Sequence, residues 1–204
     1  MSMTIPKDFI IGAASSAWQT EGWKGKKDNQ DSFLDLWFKN ERFVWHDGYG
    51  PDVATNFMDH YQQDVDLMKE VQLTHYRTSI NWARFFTDHE KLIVDEEYAA
   101  HIDNVIDALL DAGVEPMLCL EHYEVPAVLL EKYDGWSSKQ VVDLYAGYAE
   151  IAFERYGDRV KQWFTFNEPI VPQTRCYLDA VRWPHEQNTK KWMTWNYHKA
   201  VASA

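Results

Sequence analysis

The chain has little cysteine, no long apolar run and no surplus of positive charge, and each shortage closes off a class of function. Its 204 residues hold two cysteines, Cys119 and Cys176, far apart and with no partner motif around either. That excludes a disulfide framework or a zinc-ribbon site and leaves both as packing residues. No stretch reaches the roughly eighteen apolar residues that a membrane span needs. The opening Met1-Ser2-Met3-Thr4-Ile5-Pro6-Lys7 lacks the basic and apolar regions of a secretory signal, so the expected compartment is the cytoplasm, with no membrane partner. Lys and Arg number 20 against 32 Asp and Glu, a net charge of −12. Without clustered cations the chain cannot grip a phosphate backbone, and no nucleic-acid partner is expected. The 8 histidines include no His-Glu-x-x-His spacing, so no catalytic metal is expected. Low-complexity tracts and linkers are also missing, leaving one domain over residues 1–204.

What is present is enough apolar material for a substantial core, 46% of residues, and an aromatic load of 10 Trp and 11 Tyr. Flat aromatic faces suit both a core and the CH faces of sugar rings. Apolar β-like runs at Phe9 to Gly12, His75 to Ile80, Pro116 to Leu120 and Gln162 to Phe166 alternate with helical patterns. Phe57, Tyr61, Val65, Met68 and Val71 make one apolar stripe, and Ile102, Val105, Ile106, Leu109 and Leu110 make a second, stopped by Gly113. A third helix is expected from Ser137, with Gln140 completing a capping box, carrying Val141, Tyr145, Tyr148 and Ala152 toward Gly157. Strand-then-helix repetition predicts an α/β fold with a parallel sheet. Gly25 to Asp52 and Arg175 to Asn188 lack periodicity and follow the first and fourth strands, where a β/α barrel carries its active-site loops. Four βα units are half of a closed barrel, and the helical pattern Lys191 to Ala204 ends without a stop signal. The expected fold is therefore the N-terminal half of a (β/α)8 TIM barrel, hence a fragment.

The most informative segment is Thr165-Phe166-Asn167-Glu168-Pro169, which follows the strand-like Val160-Lys161-Gln162-Trp163-Phe164. It sets a carboxylic acid beside a carboxamide at the C-terminal edge of a barrel strand, the edge where such folds keep their chemistry. Glycoside hydrolysis, with Glu168 as proton donor, is the reaction this arrangement suggests.

Four motifs in order extend that reading. Phe9-Ile10-Ile11-Gly12-Ala13-Ala14-Ser15-Ser16-Ala17-Trp18-Gln19-Thr20-Glu21-Gly22, Tyr76-Arg77-Thr78-Ser79-Ile80-Asn81-Trp82-Ala83-Arg84, Leu120-Glu121-His122-Tyr123-Glu124-Val125-Pro126 and Thr165 to Pro169 together resemble the N-terminal portion of glycoside hydrolase family 1, the β-glucosidase and 6-phospho-β-glycosidase family. The resemblance implies that Gln19, His122 and Asn167 hydrogen-bond sugar hydroxyls, that Arg77 keeps the nucleophilic carboxylate ionised, and that Glu168 is the general acid and then the general base, with no cofactor. It also implies a nucleophile from a Thr-Glu-Asn-Gly motif, which these 204 residues do not contain. The chain alone is expected to be inactive. Trp18 stands where Tyr, Phe, Asn or His is usual in the family. Tyr123-Glu124 replaces the Trp-Asp usual in enzymes of free glucosides and is more like the phospho-glycosidase branch. The expected substrate is thus a small β-glucoside, 6-phosphorylated; the alternatives are an unphosphorylated β-glucoside or a non-catalytic sugar-binding remnant. Basic Lys24-Gly25-Lys26-Lys27 reads as a solvated loop.

Overall fold

The computed structural model describes Pro6 and residues 9–204. Its frame is a parallel sheet of four strands, β1 (Gly12–Ala14), β2 (His75–Ser79), β5 (Glu115–Glu121) and β6 (Gln162–Phe166), ordered β1-β2-β5-β6. Between β1 and β2 run α1 (Ala17–Thr20), α2 (Phe33–Asn40) and α3 (Phe57–Glu70). Next come α4 (Trp82–Phe85), a two-stranded antiparallel ribbon of β3 (Phe86–Asp88) and β4 (Ile93–Val94), and α5 (Glu96–Asp111). Then α6 (Ala127–Tyr133) and α7 (Lys139–Tyr156) precede β6, and α8 (Val171–Gln173) and α9 (Thr189–Ser203) follow it. Neighbouring strands come in chain order, each joined to the next by a helical crossover, which is the geometry of successive βα units in a partial barrel.

The expected strands fall in place except the first. The run Phe9 to Gly12 pairs only from its last residue, because Ile11 is held by Thr74 instead: its N–H donates to the Thr74 hydroxyl at 3.0 Å and its carbonyl accepts from Thr74 N–H at 2.8 Å. The ladder then starts at Gly12 opposite His75. A Cβ at Gly12 would stand 2.7 Å from the His75 carbonyl oxygen, so only glycine admits the strands this close.

The helical stripes bury as the spacing requires: Phe57 and Val65 on α3, Ile102, Val105, Ile106 and Leu109 on α5, and Val141, Tyr145, Tyr148 and Ala152 on α7. Val71 is the exception, standing 66% exposed beyond the end of α3. Gly113 stops α5 with φ +77°. The start of α7 is one residue later than expected. Ser138 is the cap and accepts from Gln140 N–H at 3.1 Å, so Gln140 lies too early to close a capping box. Ser137 instead donates to Asp134 and accepts the indole N–H of Trp195 at 3.0 Å.

On the helix side of the sheet, Trp82 lies at the centre of an aromatic cluster, stacked 5.7 Å from Tyr148 and edge-on to Tyr145 at 5.4 Å. Such pairs add about 0.5–1.5 kcal/mol each beyond their buried area. The phenols inside this cluster find acceptors, Tyr148 on the Leu120 carbonyl at 3.0 Å and Tyr156 on that of Ala99 at 3.1 Å. Cys119 and Cys176 are buried and unpaired, with burial pushing both thiols up to about 12, which suits inert packing residues. Among the described residues no helix is long and apolar enough to cross a membrane.

Candidate active site

At the C-terminal ends of the four strands opens a cavity of about 510 Å³. All five residues singled out in the sequence line it: Gln19 from α1, Arg77 from β2, His122 after β5, and Asn167 and Glu168 after β6. The backbone explains the convergence. Ser15 N–H bonds the Arg77 carbonyl at 2.8 Å, and Asn167 N–H bonds that of Glu121 at 2.9 Å, so these strand ends are tied to their neighbours at the rim of the cavity.

Arg77 organises the floor. One terminal nitrogen lies 3.1 Å from His122 Nδ1 and the other donates to Asn167 Oδ1 at 3.0 Å. A guanidinium only donates, so His122 must accept at Nδ1 and carry its proton on Nε2. Burial, then the facing Arg77 charge, pushes His122 down to about 4. Near neutral pH it is an uncharged ring whose Nε2–H has no partner among the described residues, a donor suited to a hydroxyl oxygen. The Asn167 amide is oriented the same way: with Oδ1 on Arg77, its Nδ2 donates to Tyr123 Oη at 3.1 Å. Tyr123 in turn donates to Glu168 Oε2. Burial first, and this bond to Glu168 next, raise the Tyr123 phenol, so it stays protonated and donating. A continuous chain of hydrogen bonds thus runs from Arg77 through Asn167 and Tyr123 to Glu168. Gln19 is exposed on the opposite wall, with its carbonyl oxygen taken by Ser16 at 3.0 Å and its amide nitrogen left available.

The two residues at the end of that chain carry backbone strain. Glu168 has φ +42° and Tyr123 φ +77°, left-handed conformations that cost a residue with a Cβ about 1–2 kcal/mol. The two strained residues are the pair whose side chains meet, Tyr123 donating to Glu168. Arg77 has no carboxylate partner among the described residues; its guanidinium reaches Ser15, His122 and Asn167 and lies over the Phe164 ring at 5.5 Å.

Several contributing residues escaped the sequence reading. Tyr123 was read for substrate preference alone, because nothing in sequence shows that its hydroxyl reaches Glu168, 45 positions away. Glu124 is buried and its carboxylate accepts from His122 N–H at 2.6 Å and from the Ser79 hydroxyl at 3.3 Å, fixing the turn that presents His122. Burial, then nearby Glu121, lifts it to about 8. The stretch Gly25 to Asp52, expected as loop, contains helix α2, whose Leu34 and Trp37 line the cavity. Its signal was legible: Ser32 and Asp35 form a capping box, with Ser32 N–H bonding Asp35 at 2.8 Å and Asp35 N–H bonding Ser32 at 3.2 Å. Asp35 also accepts the indole N–H groups of Trp18 at 3.1 Å and Trp23 at 2.9 Å, so the Trp18 that departs from the resembled motif is held in the cavity wall by the same carboxylate.

The chain is similar in sequence to known glycosidases. The chain is 37% identical over 200 residues to a 6-phospho-beta-glucosidase, GmuD, of Bacillus subtilis (strain 168), covering 98% of this chain and 43% of that protein. It is 39% identical over 166 residues to beta-glucosidase 40 of Arabidopsis thaliana, covering 81% of this chain and 32% of that protein. Among solved structures, a rice beta-glucosidase mutant in covalent complex with Glc superposes with a TM-score of 0.88 at 29% identity, and an aphid myrosinase with 0.88 at 28%. Those alignments cover 97% and 98% of this chain and 43% of each neighbour. The chain therefore spans less than half the length of the proteins it matches. The model of "Glycosyl hydrolase family 1" matches residues 1–204, and the chain belongs to that family.

Proposed function

We propose that the protein takes part in hydrolysis of β-glucosidic bonds with retention at the anomeric carbon, and that Glu168 supplies the proton to the departing oxygen and later takes one from water. The observation that carries this is the bond chain Arg77–Asn167–Tyr123–Glu168, which aims one carboxyl into a cavity whose other polar walls are hydroxyl readers. Gln19, the Nε2–H of His122 and the remaining amide hydrogen of Asn167 take the hydroxyls of the sugar. Retention needs a second carboxylate about 5–5.5 Å from the first, one to attack the anomeric carbon while the other protonates. Arg77 offers the guanidinium that would hold such a group ionised, and no described carboxylate uses it. In this reading the attacking carboxylate comes from outside these 204 residues, and the chain by itself turns nothing over.

The sugar in this reading carries a 6-phosphate. Supporting it are the Tyr123-Glu124 pair, with Tyr123 on the catalytic acid, and the likeness to GmuD along 98% of the chain. A free β-glucoside is the second reading, favoured by the 39% identity to beta-glucosidase 40. The test compares 4-nitrophenyl β-glucoside with its 6-phosphate, using the 204-residue chain alone and the product of the complete reading frame. No release of nitrophenol by the chain alone, and release from the phosphorylated substrate by the complete product, are expected. Turnover by the chain alone would remove the need for an outside carboxylate, and faster hydrolysis of the free glucoside would move the specificity to the second reading.

A further inference from the structure

The cavity does not end at the sugar readers. Trp37, Trp45 and Arg182 line both it and an adjoining cavity of about 420 Å³, whose remaining wall includes Phe43, Val44 and Val181. The outer cavity contains none of Gln19, Arg77, His122 or Asn167, so a sugar bound by those residues would send its leaving group outward past Arg182.

Arg182 differs from the cations around it. Arg175 is paired with Asp179 at 2.8 Å, His185 with Glu41 at 2.6 Å, and Arg42 with Asp52 at 3.5 Å. The Arg182 guanidinium makes no hydrogen bond or ion pair with any described residue and lies 5.2 Å over the Trp37 ring. Its backbone is fixed. Val181 and Arg182 both donate N–H groups to the Arg175 carbonyl, at 2.9 and 3.0 Å, and His185 N–H returns to the Arg182 carbonyl at 2.8 Å. A planar cation held on an indole face, with its N–H groups unspent, presents a fork that fits a carboxylate. In a chain of net charge −12, leaving such a cation unpaired beside the cavity is not explained by surface composition.

Trp37 and Trp45 pack against each other with ring centroids 5.0 Å apart and so form one continuous aromatic wall. We propose that Arg182 makes this outer cavity selective for a planar leaving group that carries a carboxylate, with the ring against that wall and the carboxylate on the guanidinium edge. The inference rests on the reading of the inner cavity as the sugar site. Its test is binding of 4-carboxyphenyl β-glucoside and of the corresponding methyl ester to the 204-residue chain, followed by titration calorimetry. Wild type is expected to hold the acid about tenfold more tightly, the scale of one charge-assisted hydrogen bond. Arg182→Gln should abolish that difference while Arg182→Lys keeps part of it, and melting curves establish that both variants are folded. Equal binding of acid and ester, or a preference that survives in Arg182→Gln, overturns the proposal and leaves the sugar site standing. A third ligand, phenyl 6-phospho-β-glucoside, separates the two ends of the substrate: if Arg182→Gln weakens it and spares the carboxyphenyl ligand, Arg182 serves the sugar and the proposal fails. Binding of none of the three would overturn the sugar site and the inference together.

Discussion

The two faces of the β1-β2-β5-β6 sheet are built differently. On the helix side, Tyr76, Leu118 and Leu120 lie under α3, α5 and α7 among fully buried rings, and Trp82, Trp136 and Tyr148 are each no more than 1% exposed. On the other side, Gly12 and Ala14 of β1, which share the face of Arg77, are exposed and Phe164 remains 44% exposed. That open side carries Arg77 and leads up to Glu168. Hydrophobic burial is thus concentrated on one face, and the polar chemistry on the other is positioned by hydrogen bonds and backbone strain. Stability and function should respond to different substitutions.

The largest expected effect tests that division directly. Trp82→Ala removes the ring that Tyr148 and Tyr145 pack against and should cost about 3–5 kcal/mol in urea unfolding. Phe164→Ala, an aromatic truncation of similar kind on the open face, should cost less than about 1 kcal/mol, since much of its ring is already in water. Similar losses would mean that the open face holds the fold as firmly as the sealed one.

The faces are joined at the end of β5. Glu121 is fully buried, pairs with the equally buried Lys199 of α9 at 3.1 Å, and accepts Asn167 N–H through its carbonyl. Lys199→Met strands a buried carboxylate and should cost about 3 kcal/mol, with Glu121→Gln added to it restoring most of the loss. If the sealed side positions the open one, the single variant also weakens glucose binding and the double variant recovers it.

Acidity gives a smaller lever with opposite signs at two positions. Burial, and secondarily Arg84, sets buried His101 at about 4 against 6.5 when unfolded. The unfolded chain therefore protonates first, and the stability His101 contributes above pH 6.5 is lost as pH falls toward 4, by roughly 2–3 kcal/mol. Glu124, raised to about 8 from 4.5, does the reverse: its contribution is full below pH 4.5 and is lost as pH rises to 8. Urea midpoints measured from pH 4 to 8 should show a shallower acid limb in His101→Leu and a shallower alkaline limb in Glu124→Gln. Unchanged limbs would show that other groups set the profile.

How much of this was legible in the sequence follows from the same division. The sealed face is periodic, so the stripes on α3, α5 and α7 and three of the four strands could be read from apolar spacing alone. The open face is not periodic. Gln19, Arg77, His122, Asn167 and Glu168 were legible because they sit in motifs at strand ends, and the cavity brings all of them together. What spacing could not supply were contacts between distant loops: Tyr123 on Glu168, Glu124 under His122, and Arg182 over Trp37. Helix α2 escaped for another reason. Its Ser32–Asp35 cap is plain, but eight residues are too few for a period to stand out against the aromatic loops beside it.

The smallest expected effect concerns a pair of backbone positions, one on each side of the comparison. Gly113, after α5 on the sealed side, has φ +77°, and a Cβ there would meet nothing within 4 Å, so only backbone strain opposes Gly113→Ala. Ala180, in the loop that carries Arg182, has φ +51° with the Cβ in place. Left-handed backbone costs a residue with a Cβ about 1–2 kcal/mol, while glycine's greater freedom in the unfolded chain costs about 0.5–1 kcal/mol. The difference favours glycine at both sites. Gly113→Ala should lose, and Ala180→Gly gain, about 0.5–1 kcal/mol. If the strained loop serves to hold Arg182 in place, Ala180→Gly should also reduce the preference for the carboxyphenyl ligand while it raises the urea midpoint. A gain in stability with an unchanged preference would instead place the rigidity of this loop in the hydrogen bonds around Arg175, with Ala180 a tolerated strain that the cavity does not use.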